Sequence, residues 1–435
     1  MSERIRVAIV GGGPAGCTLA GLLALRGVRS VVFDDDKRPE LLVGESLLPT
    51  VVLVMRRLGI EERAAGFSTY KPGVSFLHRR GIQLDFTFPK RMSGRLPNYA
   101  YNVPRPQFDD LLRDRAGELG AVFVRKRAKL VMAQGDPARE LWLDDESLAA
   151  AEDLHGRQPD LLIDTSGRSR LAAKVLGLGA RRGGREDVAY FAHFEDFASG
   201  VEQAGRVVIS VLDCGWSWRI PLNGRMSVGI VIDREEAKRH GGTAEERMDS
   251  VIRSEPLLAA AGHGARRLTP VMSYSNYQLI SDRGHGPGWV SVGDAYGFVD
   301  PMLSPGLFMA MESASLVDRH VFAAGARALD DPGKMARGFD RYVAEVEDWH
   351  KCWRELIEYF YDGRMFSLYE GGENIARRYG KFALPRLLGW HLTRQIAGMA
   401  SGLKTRSGYS RRLLRFATER LMWNVAEPEE YAISR

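Results

Sequence analysis

Apolar runs and helical periods alternate through the first part of the chain. VAIV (7–10) is a short apolar run of buried-strand type; a helix-period segment follows it, and a second apolar run stops at Asp34. GESLLP (44–49) reads as a loop entering a helix-period run over 50–58. Residues 70–76 and 82–88 alternate like strands, and the period turns helical at Pro106, with Arg105 just ahead of the helix. Residues 122–130 read as a strand. Residues 161–164 read as a buried strand ending in Thr165-Ser166-Gly167-Arg168, ahead of a helix that carries Leu171, Val175 and Leu176. From about 187 to 235 the alternation returns in VAYFAHFE, RVVISVLD, GWSWRIPL and MSVGIVID, which predict an antiparallel sheet flooring a second lobe. Residues 289–292 predict the last strand of the first lobe, with Gly293-Asp294 directly after it. From 313 the pattern is helical to about 361, and a basic, aromatic-rich helical region continues to about 423.

Composition adds little to this pattern except by exclusion. At 435 residues the chain is too long for one simple core and fits two lobes with an appended region. The first strand starts a few residues after Met1, and no apolar run nears the roughly 20 residues of a membrane span, so a cytoplasmic protein without a signal peptide is expected. Cys17, Cys214 and Cys352 lie far apart in no CxxC pair, which indicates neither a disulfide framework nor a zinc site; no metal is expected.

The candidate chemistry starts at Gly11-Gly12-Gly13-Pro14-Ala15-Gly16. Gly11 permits the tight turn, Gly13 lets the backbone approach a pyrophosphate, Gly16 lets the helix pack on the sheet, and the helix N-terminus faces the phosphate charge. Asp34, roughly twenty residues on, stands where an acid accepts hydrogen bonds from an adenosine ribose. A lone glycine motif is weak evidence, but here the flanking strand, helix, second strand and terminal acid agree.

With these pieces placed, the chain resembles the flavin-dependent monooxygenases of the para-hydroxybenzoate hydroxylase fold, and specifically their halogenase-like branch, over roughly residues 5 to 320. The motifs that carry the resemblance are GGGPAG with Asp34, GESLLP with Glu45 and Ser46, Arg105 before its helix, the strand ending at Asp164, and GDAYGFVDPMLSPG (293–306). The resemblance implies an α/β fold: an FAD-binding, Rossmann-like domain of the glutathione-reductase type, an inserted antiparallel-sheet substrate domain and a helical C-terminal region. The expected division is 1–75, 100–180 and 285–330 for FAD binding, 76–99 and 181–284 for the sheet, and 331–435 for the helices. It further implies that Gly293 and Asp294 hold the ribityl and phosphate part of FAD. Residues Pro301, Ser304, Pro305, Gly306 and Leu307 would lie against the isoalloxazine ring, with a helix N-terminus aimed at it.

Trp216-Ser217-Trp218-Arg219-Ile220-Pro221 matches the WxWxIP motif of flavin-dependent halogenases, and Lys71 matches the place of their active-site lysine. On a strand the two tryptophans point to one side and could wall one cavity; equally, they could be plain core residues. Lys71 could equally be a solvated lysine on an edge strand; burial would instead depress its pKa and make the neutral amine available. His78 and His193 are candidate proton carriers or structural histidines.

One departure tells against halogenation. Where the family binds halide with backbone N–H groups of a Ser-Ser-Gly or Ser-Thr-Gly turn, this chain has Ser304-Pro305-Gly306, and proline has no N–H. A hydrogen bond to a charged partner is worth about 1.5–3 kcal/mol, roughly ten- to over a hundredfold in affinity. The expectation is therefore an FAD-dependent monooxygenase that hydroxylates an electron-rich ring, an indole or a phenol, through the flavin C4a-hydroperoxide formed with O2. The alternatives are a halogenase of a phenol, pyrrole or indole, a flavin reductase of isoprenoid double bonds, and a non-catalytic FAD-binding protein. No second GxGxxG marks a nicotinamide site, so either NAD(P)H visits the cleft or a separate reductase supplies reduced flavin.

Net charge is +6, and the excess is C-terminal. Between residues 374 and 418 lie Arg377, Arg378, Lys381, Arg386, Arg394, Lys404, Arg406, Arg411, Arg412 and Arg415 without one Asp or Glu. Interleaved Tyr379, Phe382, Trp390, Tyr409 and Phe416 leave three readings: a solvated helical face, a dock for an acidic protein, or an anionic-membrane contact; nucleic acid is not expected. The resemblance extends to branch members acting on carrier-tethered rings and to flavoenzymes that hydroxylate a partner's tryptophan during tryptophylquinone maturation. A protein- or peptide-borne aromatic substrate is therefore expected.

Overall fold

The computed structural model describes residues 4–35, 37, 39, 41–88, 97–275, 278–379, 383–420 and 427–433. Lys381 and Phe382 lie outside them, as does Trp423, at the end of the helical region read from the sequence.

In chain order, β1 (Val7–Val10), α1 (Pro14–Ala24), β2 (Ser30–Phe33) and α2 (Pro49–Leu58) open the molecule. Then come β3 (Thr69–Lys71), β4 (Gly73–His78), β5 (Gln83–Thr87), β6 (Ala100–Asn102), α3 (Arg105–Glu118), β7 (Val122–Val124) and β8 (Leu161–Asp164). The long strands β9 (Asp187–Glu195), β10 (Val207–Val211), β11 (Gly215–Leu222) and β12 (Arg225–Asp233) follow, then β13 (Trp289–Ser291). The chain finishes with the helices α4 (Pro305–His320), α5 (Pro332–Tyr361), α6 (Arg364–Tyr379), α7 (Ala383–Ala400) and α8 (Gly408–Arg420).

The first sheet runs β13-β8-β1-β2-β7 in parallel, with His285–Gly286 added antiparallel beside β13. Its middle strands are buried at every residue, as near-continuous apolar runs require when helices cover both faces. Val10 pairs with both Phe33 and Asp164, so the chain leaves β1, β2 and β8 at one edge, and Gly11, Asp34 and Thr165 meet there. That edge is the strand-order switch of a doubly wound sheet, where the crevice opens. Helix α1 packs against α4 beneath it.

The second sheet orders Arg266–Arg267, β9, β12, β11, β10, β4 and β5, with Met272–Ser275 also on β9. It is antiparallel except where β4 joins β10 in parallel, a pairing between distant segments that alternation within one segment does not show. The run 70–76 is broken at Pro72: β3 pairs with β6 in a separate ribbon, and β4 enters the large sheet. The run 122–130 is likewise split, since β7 edges the parallel sheet while Leu130–Met132 pairs with Leu141–Leu143.

Part of the basic tail is spent internally. Arg406 pairs with Glu345 and Asp348, and Arg411 and Arg415 pair with Glu355, all three acids lying on α5. The tail thus stays docked against α5 by matched charge.

Candidate active site

Gly11 has φ +116°, and a Cβ on it would lie 2.5 Å from the Thr165 carbonyl; on Gly16 it would lie 2.0 Å from the Gly11 carbonyl. Thr165 locks the same turn by donating its hydroxyl to the Gly11 carbonyl at 2.7 Å. A Cβ on Gly13 would meet nothing within 4 Å, so this residue borders open space and needs no glycine for protein packing. Gly12 is the glycine the sequence reading missed: its Cβ would fall 2.4 Å from the Asp34 carboxylate, so its bareness lets Asp34 reach over the loop.

Two cavities meet at this turn, sharing Gly11 and Ser166. One, about 290 Å³, is bordered by Asp34, Lys37, Arg127 and Ser169. The other, about 370 Å³, runs from Gly13, Pro14 and Ala15 past Arg105 and Asp294 to Trp216 and Trp218 on one side and Pro301, Ser304, Gly306 and Leu307 on the other. An acid at one end, an uncapped helix N-terminus in the middle and an aromatic chamber at the other fit an adenosine, a pyrophosphate and a flat ring in that order.

Arg105 holds its place through a two-pronged ion pair with Asp109, both contacts at 2.9 Å, and a bond to the Val43 carbonyl. The Asp294 carboxyl is pushed up to about 6 by burial, with Arg168 and Arg105 pulling the other way, and it accepts no hydrogen bond among the described residues. Such a group facing a cavity fits a ligand that donates hydrogen bonds to it. Gly293 sits at φ +66°, where a Cβ would crowd Ala15 at 3.1 Å, and its amide donates to Ser313 at 3.0 Å.

The loop 44–49 reaches three ways. Its Glu45 accepts from His193 Nε2 at 2.9 Å, both residues being buried, so His193 anchors a cavity-lining carboxylate. Ser46 lines the cavity and accepts from Lys71 Nζ at 2.7 Å, while the Leu47 carbonyl accepts from the same nitrogen at 2.9 Å. Lys71 is therefore not a solvated edge lysine: it is 3 % exposed, and burial lowers its pKa to about 7. It stands behind Ser46 and is not itself part of the cavity wall. His78 lies apart, bonded to the Tyr431 carbonyl at 3.3 Å and lowered to about 4 by burial; its place is structural.

Trp216 and Trp218 lie side by side on the cavity face of β11, ring centroids 6.0 Å apart. Trp218 needs Gly229, its register partner on β12, where a Cβ would sit 2.1 Å from the indole; periodicity gave no sign of this. Opposite them Leu303 and Ser304 are both left-handed, at φ +66° and +57°, a strain on the order of 1–3 kcal/mol each that clusters at functional sites. Helix α4 starts at Pro305. By helix geometry the first N–H groups lack intrahelical partners, so the missing N–H of Pro305 still leaves the amides of Gly306 and Leu307 at the cavity.

Fold and site together define an FAD-binding oxidoreductase-type enzyme. The tryptophan halogenase family matches residues 87–364 and an FAD-binding domain matches residues 4–147, and the chain belongs to that halogenase family. It is 30 % identical to a tryptophan 2-halogenase of Chondromyces crocatus, over 82 % of this chain and 68 % of the relative. It is 26 % identical to a Pseudomonas fluorescens chlorinase of pyrrole-2-carbonyl on a peptidyl-carrier protein, over 82 % and 83 %. The myxobacterial chondrochloren halogenase CndH superposes with a TM-score of 0.71 at 26 % identity, covering 83 % of each chain. These relatives overturn the expected aromatic hydroxylation and back the halogenase alternative; the similarity to tryptophan-hydroxylating flavoenzymes is not supported. Pro305 at the start of α4 is thus no bar to the halogenase alternative, since Gly306 and Leu307 after it also line the cavity.

Proposed function

We propose that this chain is a flavin-dependent halogenase of an electron-rich aromatic ring. The observation that carries the reading is the buried Lys71 amine, one hydroxyl behind a cavity that Trp216 and Trp218 wall. FAD would be held by Gly11, Gly13, Pro14, Ala15 and Gly16 at the pyrophosphate, Asp34 at the ribose, and Arg105, Glu45, Asp294, Gly306 and Leu307 further along. When bound in reduced form it supplies the electron pair with which O2 oxidises a halide to hypohalous acid, the electrons coming from NAD(P)H or a partner reductase.

The chain's own residues do the rest. The N-terminus of α4 offers the Gly306 and Leu307 amides and a positive dipole end to halide. Val207, Ile209, Ile220 and the two tryptophans keep the chamber apolar, so a reactive electrophile meets little water. With two N–H groups donated to Ser46 and Leu47, neutral Lys71 has its lone pair left for the electrophilic halogen.

The ring we propose is protein-borne, as in the carrier-bound substrate of the Pseudomonas relative. Helix α7 exposes Leu387, Leu388 and Trp390 in the acid-free stretch, with Arg394 over the Trp390 ring at 5.2 Å, a face that suits an acidic carrier. No described helix is long and apolar enough to cross a membrane. The test is to supply the flavin-loaded enzyme with a reductase, NADH, O2 and bromide, and to offer free and carrier-bound phenols, pyrroles and indoles. Brominated product on any ring supports halogenation, and preference for the tethered form supports the carrier.

A further inference from the structure

The last residue of α5, Tyr361, reaches from the helical region to Trp216, which lines the cavity. Its hydroxyl accepts the Trp216 indole N–H at 3.1 Å and faces the Asp300 carboxylate at 3.2 and 3.3 Å, to which it donates. Asp300 is fully buried and also accepts from the Met302 amide at 2.8 Å and Gln278 Nε2 at 2.8 Å. The Met302 bond shapes the turn that carries left-handed Leu303 and Ser304 up to Pro305. Arg185, paired with Asp187 at 2.7 Å, lies over the Tyr361 ring at 4.2 Å from its centroid. Burial and the Asp300 charge raise the phenol well above its usual range, so it stays a donor.

The two tryptophans are therefore held unequally. Among the described residues the Trp218 indole N–H reaches the Ser227 hydroxyl alone, at 3.4 Å, whereas Trp216 is tied through one hydroxyl to the turn on the far side of the cavity. We propose that Tyr361 is a positioning residue, joining the Trp216 wall to the 300–304 turn so that the chamber stays closed and electrophilic halogen reaches Lys71 instead of escaping to water. This inference rests on the halogenase reading above.

The test compares wild type with Tyr361→Phe, which keeps the ring and removes the hydroxyl. Flavin-loaded enzyme turns over with bromide and substrate in the presence of an external scavenger of hypobromous acid, and the ratio of brominated substrate to brominated scavenger is read. A structural role alone would lower both products together. The expected result is a ratio that falls about tenfold, in line with the loss of hydrogen bonds to a buried carboxylate, while flavin content holds. Trp216→Phe removes the N–H that Tyr361 accepts and gives an independent reading: it should leak as well, and the double variant should leak no more than Tyr361→Phe alone. Variants that keep the wild-type ratio overturn the inference while leaving halogenation intact. A wild type that brominates neither substrate nor scavenger overturns the halogenase reading and this inference with it.

Discussion

Lys71 Nζ lies 2.7 Å from the Ser46 hydroxyl, and Ser46 in turn lines the cavity that Trp216 and Trp218 wall. With the amine at a pKa of about 7, its neutral fraction grows as pH rises through that value. Halogenation rate should climb through about pH 7 and level off above it, while flavin oxidation lacks that step. Lys71→Met and Lys71→Arg should both lose product formation and retain flavin oxidation, because one has no amine and the other stays charged. Product yield against pH, with flavin absorbance followed in parallel, checks this.

The same lysine sets a stability trend. Its folded pKa of about 7 lies below the model-peptide value of 10.5, so burying the ammonium opposes folding. That cost is fully present below about pH 7, shrinks as pH rises from there to 10.5, and is gone above. The Tm of Lys71→Met minus that of wild type should therefore be most positive at and below neutral pH and fall as pH is raised. Thermal melts of both proteins across that range give the slope, whatever constant offset the lost bonds to Ser46 and Leu47 add.

Sequence patterning revealed the elements whose own residues carry the burial signal, fully buried strands most plainly. Val7–Val10, Ser30–Phe33 and Leu161–Asp164 are buried on both faces, so short apolar runs sufficed. Alternation shows a strand but not its sheet, and hence not the break at Pro72 that separates Lys71 on β3 from Gly73 on β4. The burial of Lys71 depends on Ser46, Leu47 and Phe88, brought in by the fold. Glu45 and His193 meet across 148 positions, and Tyr361 ends a long helix whose other tyrosines and tryptophans look alike in the chain. The glycine loop and Asp34 were legible because one local turn carries their chemistry.

Two glycines of that loop should separate folding from binding. Gly16→Ala places a Cβ 2.0 Å from the Gly11 carbonyl and should cost both stability and flavin. Gly13→Ala meets no protein atom within 4 Å, so the flavin-free protein should melt near wild type while flavin content drops. Melts of flavin-free protein and the flavin-to-protein absorbance ratio test the pair.

Pro305→Ser restores an N–H at the start of α4. If halide sits on the Gly306 and Leu307 amides, a third donor should lower the apparent KM for bromide by about tenfold or more, with little change at saturating bromide. Bromide titrations of product formation on both proteins decide it; an unchanged KM would place the anion elsewhere.

The most direct measurement is the mass of the product formed from an activated phenol or a carrier-bound pyrrole by the flavin-loaded enzyme with reductase, NADH and O2, with and without bromide. Halogenation at this site gives a product in which bromine replaces a ring hydrogen, seen by its paired isotope peaks, only when bromide is present and only while Lys71 is intact. A product that gains oxygen regardless of bromide, or bromination that survives Lys71→Met unchanged, would contradict it.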